Sequence, residues 1–235
     1  MKVIVIVGVI LVVGLIVMLI VHSQNKQSIQ KGDQDIQGEK IEIVEGASEK
    51  QEVKEELSLS GEGEFETRAE QSASWYGEKT FVVNYSHTGN IDIQSADISI
   101  KDDMLVGGIL EVNMGTITSD AGEKLNAHLQ SDSFFSVEQY PTSTFTISSS
   151  SKSEDENVYT IVGDMTIKNT TRQIEVPARI TMKDENTLHV FTTFDINRAD
   201  FDIRFGSKKF FASLINEEII SDTFSITADL ILEKK

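Results

Sequence analysis

Ser86 and His87 are adjacent, a hydroxyl beside an imidazole, which are the two parts of an activated nucleophile. In an extended strand, however, neighbours point to opposite faces, and the chain has no G-x-S-x-G elbow to turn a serine outward. His128 and Asp132 stand four residues apart, a spacing that would bring two ligands together on a helix. Two ligands do not define a metal site, and no third is suggested. Arg198 lies in Asn197-Arg198-Ala199-Asp200. Its guanidinium fork suits an anionic or polar group, or a structural pair with Asp195, Asp200 or Asp202. Arg204, Lys208 and Lys209 form a small basic cluster that suits anionic lipid heads or simply an exposed loop. No P-loop or dinucleotide glycine fingerprint is present. Asn84-Tyr85-Ser86 and Asn169-Thr170-Thr171 fit the glycosylation sequon, a short pattern that matters only in a eukaryotic secretory route. These residues give no case for an enzyme.

The bulk properties narrow the field further. With 38 acidic against 21 basic residues the net charge is −17, the wrong sign for binding nucleic acid through counterion release. The absence of cysteine excludes disulfides, thiolate metal sites and lipidated thiols. A hydrophobic content of 39% is enough for one sizeable core, so a single folded domain with appendages is expected.

The elements that must position any site are mostly strands. Apolar residues recur at every second position in Met104, Val106, Gly108, Leu110, Val112 and Met114, and again in Tyr159, Ile161, Gly163, Met165 and Ile167. The same holds for Ile174 to Met182, for Leu188, Val190, Phe194 and Ile196, and for Phe224 to Leu232. Each series is a candidate inward face. Between Ile93 and Ile98 the apolar parity switches, which requires a bulge or bend. Ser119 to Leu129 breaks the rhythm and predicts one helix, with Ser or Asp available to cap it. Pro177 sits inside a strand-like run and lacks a ladder donor, so an edge or bulge is expected there. Eight to ten antiparallel strands and one helix suit a closed barrel or a sandwich, and parity does not choose between them.

The N-terminus is of another kind. Val3 to Val21 is a run of 19 uncharged, almost wholly apolar residues, nearly enough to span a hydrocarbon core of about 30 Å. We read residues 1–23 as a transmembrane signal anchor; the other reading, a cleaved signal peptide, has only a poor site at Val21-His22-Ser23. Residues 24–63 read as an acidic flexible linker and 64–235 as the folded domain. A single span after a short N-terminus places that domain outside the plasma membrane, either periplasmic or extracellular.

Several ordered motifs carry a resemblance across roughly Phe65 to Leu232. His128-Leu129-Gln130-Ser131-Asp132-Ser133-Phe134-Phe135-Ser136-Val137, followed by Tyr140-Pro141 and Thr144-Phe145, resembles the helix-and-strand signature HL-x-S-x-DFF-x-V-x-x-(Y/F)P-x-x-TF of the YceI-like family. Ser133 replaces the aspartate of DFF. Val162-Gly163-Asp164-Met165-Thr166-Ile167-Lys168-Asn169-Thr170-Thr171-Arg172 is similar to the family's G-x-LTI-(K/R)-G-VT-(K/R), departing at Met165, Asn169 and Thr170. Val106-Gly107-Gly108 through Asn113-Met114-Gly115-Thr116-Ile117, Ile196-Asn197-Arg198-Ala199-Asp200-Phe201 and Ile220-Ser221-Asp222 resemble three further family elements.

The resemblance implies an all-β fold: an extended, lipocalin-like antiparallel β-barrel of about eight strands with one short helix over one end. It also implies secreted or periplasmic proteins that hold polyisoprenoids, isoprenoid quinones or similar amphiphiles inside the barrel. On that footing the expected tunnel wall is Leu110, Val112, Met114, Phe145, Ile147, Ile161, Met165, Ile167, Phe194, Phe224 and Ile226, with Phe134 and Phe135 near the helix. Arg198 and His128 become the head-group candidates. The same side chains would serve a solid core equally well. The functional expectation is a non-enzymatic, membrane-tethered carrier of an isoprenoid or acyl lipid without a metal or conventional cofactor. Its rival is a ligand-free barrel acting as an envelope interaction module.

Overall fold

The computed structural model describes residues 57–235. The expected anchor over Val3–Val21 and nearly all of the expected linker lie outside the described residues. Among the described residues no helix is long and apolar enough to cross a membrane.

The alternating apolar positions form ten strands in one antiparallel sheet. They are β1 Leu57–Ser58, β2 Gly63–Glu66, β3 Gln71–Glu78, β4 Ser86–Lys101, β5 Met104–Asn113, β6 Thr142–Lys152, β7 Val158–Ile167, β8 Thr170–Asp184, β9 Thr187–Asn197 and β10 Thr223–Lys234. β2 and β3 behave as one interrupted strand, because both pair with β4 on one side and β10 on the other. Pairing of each later strand with its successor, from β4 through β10, completes the circuit. The result is a closed eight-stranded barrel, which decides against the sandwich. β1 pairs with Thr181 and Met182 of β8, and Leu59 is buried just after it. Ordered pairing therefore begins before the expected boundary at Gly63.

Two register shifts curve β4 and β5. The first lies between Ile93 and Ser95, where the parity switch required it; Ile91 and Ile93 before it, and Ala96, Ile98 and Ile100 after it, all point inward. The second lies opposite Ser99 and Ile100, where Val106 is the extra residue. It corrects the inward reading of Met104 and Val106: Leu105 is 1% exposed, while Val106 is 48% exposed and Met104 only partly buried. Gly108 makes this shift feasible. It sits at φ +150°, and a Cβ there would approach the Asp97 carbonyl oxygen to 2.4 Å, far inside contact distance.

The barrel wall is not hydrogen-bonded all the way up. β8 and β9 pair only between Ala178–Asp184 and Thr187–Thr192, leaving Thr170–Pro177 and Thr193–Asn197 unpaired with each other. Pro177 marks the point of separation, as its missing donor requires, and its carbonyl accepts from Thr192 Oγ1 at 2.6 Å. The chain after β9 packs by this seam: a 3-10 turn at Arg198–Phe201 buries Ala199 and Phe201, with Ile203 fully buried beyond it.

The helix, α1, spans Glu123–Gln130. Its N-cap is Gly122 at φ 76° and not the expected Ser or Asp. Ser119 Oγ instead donates to Asn126 Oδ1 at 2.8 Å, and Asp120 Oδ1 meets His87 Nδ1 at 2.9 Å. Leu125 and Leu129, one turn apart, face the barrel end where β5 and β9 finish and β6, β8 and β10 begin.

Candidate ligand cavity

The barrel interior is solid at one end and hollow at the other. At the end away from α1, Leu105, Ile180, Leu188 and Leu232 are fully buried and Phe65 is buried with them, and none of them lines the cavity. Toward α1, Leu110, Val112, Met165, Phe194, Phe224 and Ile226 point inward yet are only partly buried. Their inner faces border a cavity of about 420 Å³, within the size range of small-molecule sites.

All eleven residues expected in the tunnel wall line this cavity, and so do Phe134 and Phe135, expected near the helix. Phe134 is buried under α1, with its ring centroid 5.2 Å from that of His128 and 5.5 Å from that of Phe205. Gly163 opposite β6 leaves room for the Phe145 ring: a Cβ there would lie 2.6 Å from Phe145 Cζ.

Arg198 borders the cavity but its donors are spent elsewhere. Nε donates to Ser221 O at 2.8 Å, Nη1 to Ile203 O at 3.0 Å and Phe205 O at 2.8 Å, and Nη2 to Ile220 O at 3.1 Å. Nη2 also lies 3.3 Å from Asp222 Oδ1. Burial pushes the guanidinium below its ordinary pKa, and Asp222 acts in the opposite sense. This corrects the head-group expectation for Arg198: with four carbonyls and one carboxylate around it, the fork ties the loop from Ile203 to Asp222 onto the end of β9. The expected partners Asp200 and Asp202 pair instead with Lys209 at 3.2 Å and Arg204 at 2.6 Å, and Asp195 accepts from Ser225.

His128 keeps its place as a polar group at the cavity. Its ring meets Phe134 and Phe205 edge-on, at 5.2 and 4.6 Å between centroids, and no protein hydrogen bond to its ring nitrogens is found among the described residues. Asp132 is not beside it, because α1 ends at Gln130 and Asp132 is exposed beyond. Ser86 and His87 alternate on β4, and His87 pairs with Asp120, not with Ser86. Among the described residues there is no cluster of His, Asp or Glu able to hold a metal ion.

Sequence reasoning missed Ser143. It precedes Phe145 and Ile147 at the inward parity of β6, lines the cavity and is buried, yet its hydroxyl has no hydrogen-bond partner. A lone hydroxyl in an apolar wall carries an unmet desolvation cost. The available signal was parity alone, masked by the run of Ser and Thr around it.

Four cavity-lining residues are also exposed: Glu78, Tyr85, Phe205 and Thr223. They mark the mouth, between the β3–β4 loop and the loop that Arg198 holds.

The sequence model of the YceI-like domain matches residues 65–232. No curated protein matches the sequence. Among solved structures, BcnA of Burkholderia cenocepacia is similar with a TM-score of 0.55 at 19% identity, covering 68% of this chain and 95% of its own. A polyisoprenoid-binding domain from Saccharophagus degradans, implicated in plant cell wall breakdown, is similar with a TM-score of 0.52 at 14% identity, covering 74% of this chain and all of its own. At these identities the likeness is one of fold.

Proposed function

The chain belongs to the YceI-like family, and from that premise we propose that it is a binding or carrier protein for a polyprenyl lipid, an isoprenoid quinone or a similar amphiphile held in the barrel. The observation that carries this reading is the apolar cavity of about 420 Å³ beneath α1, walled by aliphatic and aromatic side chains from most strands of the barrel. Each methylene moved from water into such a wall contributes about 0.8 kcal/mol, so a prenyl tail binds without metal or covalent chemistry. One relative by fold is described as a polyisoprenoid-binding domain, which supports the same ligand class here. Ser143 and His128, polar groups without a protein hydrogen-bond partner among the described residues in a mainly apolar lining, suit a carbonyl or hydroxyl on the ligand's polar end.

The carrier is held at the plasma membrane by Val3–Val21, with the barrel on the extracytoplasmic side. No reaction is proposed. A ligand-free interaction module would call for side chains filling the whole interior, and the half of the barrel under α1 is not filled.

The test is to express residues 57–235, which include the whole closed barrel, in a bacterial periplasm. The protein is purified without detergent and its bound lipids are identified by native mass spectrometry and organic extraction. A stoichiometric prenyl or acyl species is the expected result. A barrel that carries no lipid and takes up neither added quinone nor polyprenyl phosphate would overturn the proposal.

A further inference from the structure

Two loops at the mouth of the cavity carry a cluster of large apolar side chains that are exposed. Phe81 is 56%, Val83 87% and Ile215 60% exposed, and Tyr85, Phe205 and Phe211 are each more than two-fifths exposed. They sit on two loops, Lys79–Tyr85 and Phe205–Ile220, that are fastened together. Lys79 bridges Ile220, Ser221 N donates to Glu78 O at 2.8 Å, and Lys79 Nζ donates to Glu217 O at 2.7 Å. The remaining large exposed apolar residues, Leu57, Tyr76, Val106 and Phe191, stand on strands, as scattered surface residues ordinarily do. A clustered apolar rim needs an explanation.

We infer that this rim docks onto a lipid bilayer and joins the cavity to the membrane's apolar layer. Tyr85 and Phe205 belong both to the rim and to the cavity lining, so a lipid tail can pass from one to the other without crossing water. The rim also carries acids, Glu78 in the cavity lining and the exposed Glu217 and Glu218. They form no ion pair with its lysines among the described residues, and it is these lysines that favour a bilayer over a protein partner. Lys79 and Lys208 stand within the rim and donate to backbone carbonyls, with no acidic partner among the described residues. Protein interfaces are depleted in lysine, whereas a bilayer interface accepts an ammonium at head-group level with apolar and aromatic side chains below it. The cost of passing a prenyl tail through water is large, since it grows with every methylene, and a docked mouth removes it. The inference rests on the carrier reading above.

The experiment uses the full chain reconstituted in vesicles of phosphatidylcholine and phosphatidylglycerol. Because the chain has no cysteine, Val83→Cys gives a unique attachment point for an environment-sensitive fluorophore, and Val106→Cys gives a control on the barrel wall. The expected result is a blue shift and quenching by spin-labelled lipids at position 83 and neither at 106. A second readout is transfer of a fluorescent prenyl lipid. Val83→Asp combined with Phe211→Asp slows transfer from vesicles by about tenfold or more, while uptake from an ethanol dispersion is unchanged. Position 83 remaining in water would overturn docking. So would a blue shift at position 83 without quenching by the spin-labelled lipids, which would mean that a second copy or the chain's own N-terminal segment covers the rim. Lipid uptake by neither route would overturn the carrier reading instead, and uptake without insertion at position 83 overturns docking alone.

Discussion

Arg198 Nη2 lies 3.3 Å from Asp222 Oδ1 while the same guanidinium donates to four backbone carbonyls, and the Arg198 N–H donates to Asp222 O at 2.8 Å. Side chain and backbone together fasten the end of β9 to the start of β10 across the whole loop from Arg198 to Asp222. That loop forms one lip of the cavity mouth, so the pair helps to set the shape of the entrance.

Replacing Arg198 by Lys keeps the charge but presents three donors from one nitrogen where the loop needs a planar fork. Removing bonds of this kind from a buried charge costs on the order of 3 kcal/mol. Urea unfolding of Arg198→Lys should show a midpoint lowered accordingly with an unchanged slope. Its lipid uptake should fall through loss of the ordered mouth. A variant as stable as the parent would show that the carbonyl contacts contribute little.

The two halves of the barrel interior should respond oppositely to added volume. Leu188 is fully buried in the solid half, and Leu188→Trp should cost about 1–3 kcal/mol or more through overpacking. Leu110 faces the cavity, so Leu110→Trp has space to enter, should leave the thermal midpoint within a few degrees and should cut lipid capacity severely. Equal destabilisation by both substitutions would mean that the upper half is as tightly packed as the lower.

Much of this architecture is legible in the sequence, for a physical reason. A strand with one buried face must alternate, so the inward sets on β7 to β10 and the break after Ile93 are written in residue types. The second break at Val106 is hidden because Met104, Val106 and Leu110 keep one parity straight through the Gly107–Gly108 pair that allows the shift. Hollow and solid halves use the same aliphatic residues, and only three-dimensional spacing separates Leu110 from Leu188. Arg198 is harder to read, because a lone arginine among aspartates suggests a nearby charge partner or a ligand. The carboxylate it meets, Asp222, is none of the aspartates beside it in the sequence, and its other partners are carbonyls, which every residue has and no sequence pattern marks.

Ser143 presents the sharpest test of ligand polarity. Its buried hydroxyl has no protein partner, so Ser143→Ala should leave the ligand-free barrel as stable or more stable by up to about 1 kcal/mol. The same change should weaken a ligand with a carbonyl or hydroxyl end by about fivefold to tenfold, and leave a plain hydrocarbon of equal length unaffected. Titration calorimetry with a matched pair of probes reads the difference. Equal loss for both probes would indicate a packing effect and remove Ser143 from the polar contact set.

Acid behaviour should report on the link between the segment leading into α1 and β4. The hydrogen bond from His87 holds the Asp120 carboxyl below its ordinary value; partial burial opposes this, and the Thr88 backbone reinforces it. A carboxyl with a lowered folded pKa contributes stability that is complete above its unfolded value, about 3.9, and is lost as pH falls through the lowered folded value. Carbon-detected NMR titration should therefore place the Asp120 midpoint below that of an unperturbed aspartate in the parent, and His87→Ala should move it upward. The α1 amide signals should show the same acid transition, since Asp120 N donates to Thr88 O at 2.8 Å and Ser119 Oγ to Asn126 Oδ1, tying the titrating residue to the helix. An Asp120 midpoint at the ordinary value in the parent, or one that His87→Ala leaves in place, would show that this pair does not hold the helical cover to the barrel.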